Sequence, residues 1–268
     1  MIANFHTHSS FCDGKNTPEE IILAAIDKGF YAIGFSGHGY TEFDLRYCLK
    51  DTNGYMLEIE RLKKKYAKNI QIFLGIEEDA FSPVERNNFD YIIGSSHYFF
   101  IRDQYLPIDS NYDYFKKCLE AFDYDIVSLA HTYYRTFCRY IKTRKPDIIG
   151  HFDLITKFDE LETSLFFDHN EYNRIAEKYI TEAAESNCIF EINTGAIARG
   201  LRTTPYPAEN LLYVLKEKDA KILLSSDSHS IDTLDFAFEE IKQYLYDIGF
   251  RYLHTLTKDS KFVRYSIQ

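Results

Sequence analysis

The sequence predicts an α/β fold, a barrel of parallel strands with helices between them, on three observations. Side chains able to bind metal recur at the ends of apolar runs along the whole chain: His6 and His8 in FHTHS, His38 in GFSGH, Glu77 in FLGIE, His97 in IGSSH, His151 in IIGH, and Asp227 and His229 in LLSSDSH. A parallel barrel gathers such positions around one axis, because all of its strands end on the same face. The apolar runs are continuous rather than alternating, as expected of strands covered on both sides. With 268 residues, 45% of them hydrophobic, the chain can bury a large core within one α/β barrel.

The elements follow in order. A first strand is expected at 2–5, then a helix opened by Thr17-Pro18-Glu19-Glu20: an N-cap, a proline at the first helical position and a capping-box glutamate. Gly29 closes that helix in the C-cap position. A strand at 31–35 leads to a helix at 55–67, and strands follow at 70–74 and 91–93. The spacing then becomes irregular, since about fifty residues between His97 and Asp147 hold more than one helix. One helix is expected at 112–122, and the aromatic and basic run YYRTFCRYIKTRK (133–145) reads as an amphipathic helix with a solvated basic edge. Strands at 147–149, 189–192 and 222–224 alternate with helices at 171–185, 208–218 and 233–246. The count is seven strand and helix units in one domain, 1–268, with a helical insertion at about 98–146.

Composition narrows the function. No stretch approaches the roughly 18 apolar residues of a membrane span, and the N-terminus lacks a basic segment followed by an apolar one, so a cytoplasmic protein with no membrane partner is expected. The five cysteines are odd in number, scattered and without CxxC spacing, which argues for reduced thiols rather than disulfides or a thiolate metal site. A net charge of −10 opposes nucleic-acid binding. An anionic small-molecule substrate must then be drawn in by a local positive site, which bound metal ions would supply.

His6-Thr7-His8 places two imidazoles on one side of a strand, because side chains two apart point the same way. Asp227-Ser228-His229 repeats the arrangement with a carboxylate and an imidazole after the last apolar run. Glu77 is a candidate bridge, since each carboxylate oxygen can bind a different ion. His38, His97 and His151 each leave an apolar run after a small residue, in register with the HxH and DxH pairs, and Asp13 in the turn after HxH is a further candidate. His169 and His254 read as surface or packing residues, whereas His131 is left open.

In this order, HTHSSFCDGKNTPEE, SGH, Glu77, GSSH, GHFDLITKF, EINT and SDSH resemble the polymerase and histidinol phosphatase (PHP) family of metal-dependent phosphoesterases. GSSHYF with LPID, GHFDLITKF and EINTGAIARG resemble its histidinol-phosphate phosphatase branch. The resemblance runs from about His6 to His229. It implies a distorted seven-stranded (βα)7, TIM-like barrel with three divalent metal ions at the C-terminal ends of the strands. His6, His8, Glu77 and Asp227 would hold one ion, Asp13, His38 and His229 a second, and Glu77, His97 and His151 a third. The chain departs from the pattern at Cys12-Asp13-Gly14, a turn near which many relatives have a histidine; Asp13 is the replacement. Imidazole and carboxylate ligands suit zinc, iron and manganese alike.

The chemistry implied is hydrolysis of L-histidinol phosphate by metal-activated hydroxide, with Asp227, His229 and Arg199 as catalytic groups. Arg199 and Arg202, in AIARGLR, are candidates for a guanidinium fork on the phosphate. Glu191 and Asn193 are expected to line the pocket behind the ligands. The acidic loop 41–44, through Glu42 and Asp44, is the expected reader of the substrate's ammonium and imidazole. Residue types alone support a metal-dependent phosphoesterase, and the narrower substrate rests on the resemblance. Action on another small ester or on nucleotides is the nearest rival, disfavoured for nucleic acid by the absence of a basic groove. A non-catalytic metal-binding regulatory barrel is disfavoured because every ligand type is present, and an amidohydrolase-like reading lacks a strand-end lysine.

Overall fold

The structure, a computed structural model, describes residues 2–161 and 164–267. Its frame is a seven-stranded parallel sheet. β1 (Ala3–Asn4) pairs with β2 (Ala32–Phe35), which pairs with β3 (Gln71–Asp79), and β3 with β4 (Tyr91–Ser95). A hairpin of β5 (Tyr98–Ile101) and β6 (Gln104–Pro107) follows outside this sheet. The sheet resumes with β7 (Ile148–Ile149), β8 (Ile189–Asn193) and β9 (Ile222–Ser225). Beyond the ends of β1 and β9, the His8 N–H donates to Ser228 O (2.8 Å) and the Ser228 N–H to His6 O (3.1 Å), which closes the barrel between the HxH and DxH segments. A final antiparallel hairpin, β10 (Tyr252–Leu256) and β11 (Phe262–Ser266), lies against β9.

The helices are α1 (Pro18–Asp27), α2 (Thr52–Lys65), α3 (Tyr112–Ala121), α4 (Ile126–Arg144), α5 (Asn170–Ala184), the single turn α6 (Gly195–Ala198), α7 (Glu209–Glu217) and α8 (Phe238–Ile248). The capping box of α1 forms as expected: Glu20 N donates to Thr17 Oγ1 (3.3 Å) and Thr17 N donates to Glu20 Oε2 (2.8 Å). Phe5, Phe73, Tyr91, Ile93, Ile148, Ile189 and Leu223 fill the barrel, and larger apolar clusters join the strands to the helices. Among the described residues no helix is long and apolar enough to cross a membrane.

Four features correct the sequence-based expectation. β3 runs to Asp79 rather than stopping at residue 74, so Glu77 stands within the strand. The insertion begins with the β5–β6 hairpin and is not wholly helical, and its second helix starts at Ile126. The last helix begins at Phe238, because a 3₁₀ turn at Ile231–Thr233 and the left-handed Ala237 (φ 57°) occupy its expected first turn. The C-terminal hairpin is additional.

Candidate metal centre

All nine predicted ligands meet at the C-terminal mouth of the barrel. Glu77 is buried at the centre with its two oxygens facing different imidazoles. Oε2 lies 3.3 Å from His6 Nε2, 3.6 Å from His8 Nε2 and 2.8 Å from His38 Nδ1. Oε1 lies 3.3 Å from His97 Nε2 and 3.0 Å from His151 Nε2. Asp227 Oδ1 is 3.2 Å from His8 Nε2 and 3.6 Å from His6 Nε2, while Asp13 is 3.7 Å from both His8 Nδ1 and His38 Nε2 and 3.3 Å from His229 Nε2.

The shortest of these, from Glu77 to His38 (2.8 Å) and to His151 (3.0 Å), are of hydrogen-bond length, while the longer ones are those of ligand atoms around a shared ion. Nitrogen and oxygen ligands bound tetrahedrally at 2.0–2.1 Å stand about 3.3 Å apart along a polyhedron edge, whereas contacts of 3.6 and 3.7 Å exceed hydrogen-bond length. His6 Nε2, His8 Nε2, Asp13 Oδ1 and Glu77 Oε2 are buried without a hydrogen bond. Each such orphan costs about 1–3 kcal/mol, a cost that cations bound among them would relieve. Four overlapping groups have ligand atoms close enough to share an ion: His8, Asp13, His38 and His229; His6, Glu77 and His151; His6, His8 and Asp227; His38, Glu77 and His97.

Local backbone aims these groups. Asp13 is folded against the first strand's end by a turn in which Gly14 packs on the His8 carbonyl; a Cβ there would overlap it. Asp227 adopts a left-handed conformation (φ 47°), strained for a non-glycine residue and consistent with a functional position. Its carbonyl accepts from Arg199 Nη1 (3.2 Å) and lies 3.0 Å from His229 Nδ1.

The electrostatics are those of a cation site. Burial pushes the Glu77 carboxyl up, but the imidazoles of His6, His38 and His97 outweigh it and hold the group well below the usual carboxylate range. Asp227 behaves likewise, with His6 and Arg199 prevailing over burial. Burial, with His229 and His38 alongside, pushes His8 down to about 3, which leaves a neutral imidazole. His6 is driven the other way: burial would lower it, but Glu191, Glu77 and Asp227 together raise it.

Glu191, which the sequence placed with Asn193 behind the ligands, lies beneath His6. Its Oε1 is 2.5 Å from His6 Nδ1, and its Oε2 accepts from the His151 N–H (2.8 Å) and Asn193 Nδ2 (3.0 Å). A carboxylate on the far nitrogen fixes the tautomer and ring orientation of a ligating histidine. Asp79 does the same for His97, 2.9 Å from its backbone nitrogen and 3.2 Å from its Nδ1. Sequence reasoning missed Asp79, although its position two residues after Glu77 on a strand puts it on the same side.

A cavity of about 470 Å³ opens over the centre. Arg199, leaving α6, lines it one-third exposed, its Nη2 3.1 Å from Asp227 Oδ2. Gly195 makes room, since a Cβ there would lie 2.8 Å from Arg199 Nη2. Arg202 does not reach the cavity and is corrected to a structural role. It is buried against Asp153 (3.4 Å), donates to Thr156 Oγ1 (2.8 Å) and stacks over the Tyr206 ring. The acidic loop is also corrected. Glu42 is exposed away from the cavity lining, and Asp44 is held by Arg46 (2.9 and 2.7 Å) and Tyr98 Oη (3.0 Å). Lys157, Asp109 and Tyr98 occupy that wall instead. His131 packs in α4 against Tyr179, His169 caps α5, and His254 Nδ1 lies 3.2 Å from Ile222 O.

The model of the PHP domain family matches residues 4–195. A Schizosaccharomyces pombe protein named "Probable histidinol-phosphatase" is 29% identical, over 96% of this chain and 90% of its own length. The histidinol-phosphatase of Bacillus subtilis is 26% identical over 87% of this chain and 96% of its own. The crystal structure of histidinol phosphate phosphatase from Lactococcus lactis, complexed with zinc, L-histidinol and phosphate, superposes with a TM-score of 0.73 at 21% identity. That match covers 97% of this chain and 98% of that one.

Proposed function

The chain belongs to the PHP domain family, and on that premise we propose that it is a histidinol-phosphatase, hydrolysing L-histidinol phosphate to L-histidinol and inorganic phosphate. The observation that carries the reading is Glu77, a buried carboxylate whose two oxygens face two different sets of imidazoles. This is the geometry a bridge between cations needs. In this reading, which takes its partition from the family resemblance, His6, His8, Glu77 and Asp227 hold one divalent ion, Asp13, His38 and His229 a second, and Glu77, His97 and His151 a third, with zinc, manganese or iron in these positions; the approach of His97 and His151 to the same Glu77 oxygen supports the third. The relatives' names support the substrate.

When bound, the ions neutralise phosphoryl oxygens and lower the pKa of water, the two requirements of attack on a phosphomonoester dianion. The chain's own groups do the rest. Arg199, already oriented by Asp227, presents its remaining N–H donors to the cavity for the phosphate. Glu191 and Asp79 hold the His6 and His97 rings in place. The cavity is of a size that suits a small molecule. The free cysteines fit a reducing compartment, in keeping with a cytoplasmic reaction.

Phosphate release from a panel of small phosphomonoesters tests the reading. Histidinol phosphate is expected to have the highest kcat/KM. Preference for another ester would overturn the substrate, and absence of any hydrolysis by metal-loaded protein would overturn the activity.

A further inference from the structure

Five carboxylates line the cavity: Asp13, Glu77, Asp79, Asp109 and Asp227. Four of them face the histidine centre, with Asp79 bound to His97 and the others among the candidate ligands. Among the described residues, Asp109 alone makes no hydrogen bond or ion pair with that cluster, although it lies within electrostatic reach of His97 and His151. It comes from the LPID segment and meets Lys157, from GHFDLITKF: Lys157 Nζ donates to Asp109 O (2.7 Å) and to Asp109 Oδ2 (3.1 Å). Two motifs far apart in the chain thus converge on one ion pair in the cavity wall. The lysine pins one oxygen, and among the described residues Oδ1 has no donor. The side chain is about one-quarter exposed, while Lys157 is nearly buried. Burial would raise the Asp109 carboxyl, but Lys157, and with it His97 and His151, holds it down at about 2, so it is a fixed anion.

We propose that Asp109 is the specificity-determining residue of the site, its free Oδ1 accepting a hydrogen bond from the cationic end of an amine-bearing phosphomonoester whose phosphate lies on the metal centre and Arg199. This inference rests on the phosphatase reading above and gives the role expected of Glu42 and Asp44 to a residue that lines the cavity. A carboxylate has four acceptor sites, so pairing with Lys157 leaves capacity for a second cation. A charge-assisted bond is the stronger kind and distinguishes an ammonium from a neutral group of the same size.

The test is a selectivity ratio measured on metal-loaded protein. Two pairs of substrates are compared: histidinol phosphate with 4-nitrophenyl phosphate, and phosphoethanolamine with ethyl phosphate, which differ in the ammonium alone. Asp109→Asn should reduce the ratio of kcat/KM, cationic over neutral, at least about tenfold in both pairs, mainly through KM, with metal content unchanged. Asp109→Glu, which keeps the charge, should recover part of the ratio. Equal loss on both members of each pair, or no loss, would overturn the proposal, because a residue that merely supports the centre affects all esters alike. The second pair keeps the two claims separable. Lost ammonium selectivity without turnover of histidinol phosphate would overturn that substrate and support Asp109. Unchanged selectivity alongside turnover of histidinol phosphate would overturn Asp109 alone.

Discussion

Replacing Glu77 with Gln probes the centre most severely, because one atom changes and the shape does not. The carboxylate is 1% exposed and lies within 3.6 Å of five imidazoles. An amide keeps one acceptor oxygen and turns the other into an N–H₂ donor, which cannot ligate a cation. The unit charge lost is worth about 4 kcal/mol even at about 4 Å in an effective dielectric of 20, nearly three factors of ten. Ions in direct contact would feel more. Glu77→Gln should therefore lose metal, by elemental analysis, and kcat/KM for phosphate release should fall by about 100-fold or more. The fold should persist, since the amide is isosteric with the carboxylate and the apolar clusters that hold the barrel are built from other residues. Metal content and turnover within about threefold of the parent would refute the bridging role.

Arg199→Ala should leave metal content intact while kcat/KM falls at least about tenfold, and Arg199→Lys should restore only part of it, because an ammonium cannot reproduce the fork. Arg202→Met should act on stability instead: it leaves Asp153 buried without its guanidinium, a loss of about 3–5 kcal/mol readable by denaturant titration, with little change in KM for the protein that remains folded. Glu191→Gln should weaken metal affinity by about 10–100-fold in a competition with a chelator, because His6 loses the carboxylate on its far nitrogen.

The parallel strands were legible because strands buried on both faces leave continuous apolar runs, and all seven appear within a few residues of their expected places, β3 apart. The extension of β3 was hidden by its own chemistry. Three acidic residues in a row, Glu77, Glu78 and Asp79, do not look like a buried strand, yet all three are buried: Glu77 among the imidazoles, Glu78 on a bidentate contact from Arg144 and on Tyr140, and Asp79 on His97. The β5–β6 hairpin turns through Arg102 and Asp103, both left-handed, without the Asn-Gly or Asp-Gly signature that marks such turns. The convergence of the candidate ligands on the barrel mouth was readable from register, since HxH and DxH place two groups on one side of a strand. The substrate-side residues were not. Glu42 and Asp44 are near His38 in sequence, yet one is exposed and the other is taken by Arg46, while Asp109 and Lys157 are 48 residues apart and meet only in the fold.

The central claim is that metal held by these side chains hydrolyses a small phosphomonoester. Chelator-stripped protein, reloaded stepwise with zinc, manganese or iron, provides the direct test when bound metal and phosphate release from histidinol phosphate are measured on the same samples. Activity should be absent without metal and rise with occupancy, to a plateau near three ions per chain. Full turnover by protein shown to be metal-free, or full loading without phosphate release, would contradict the account.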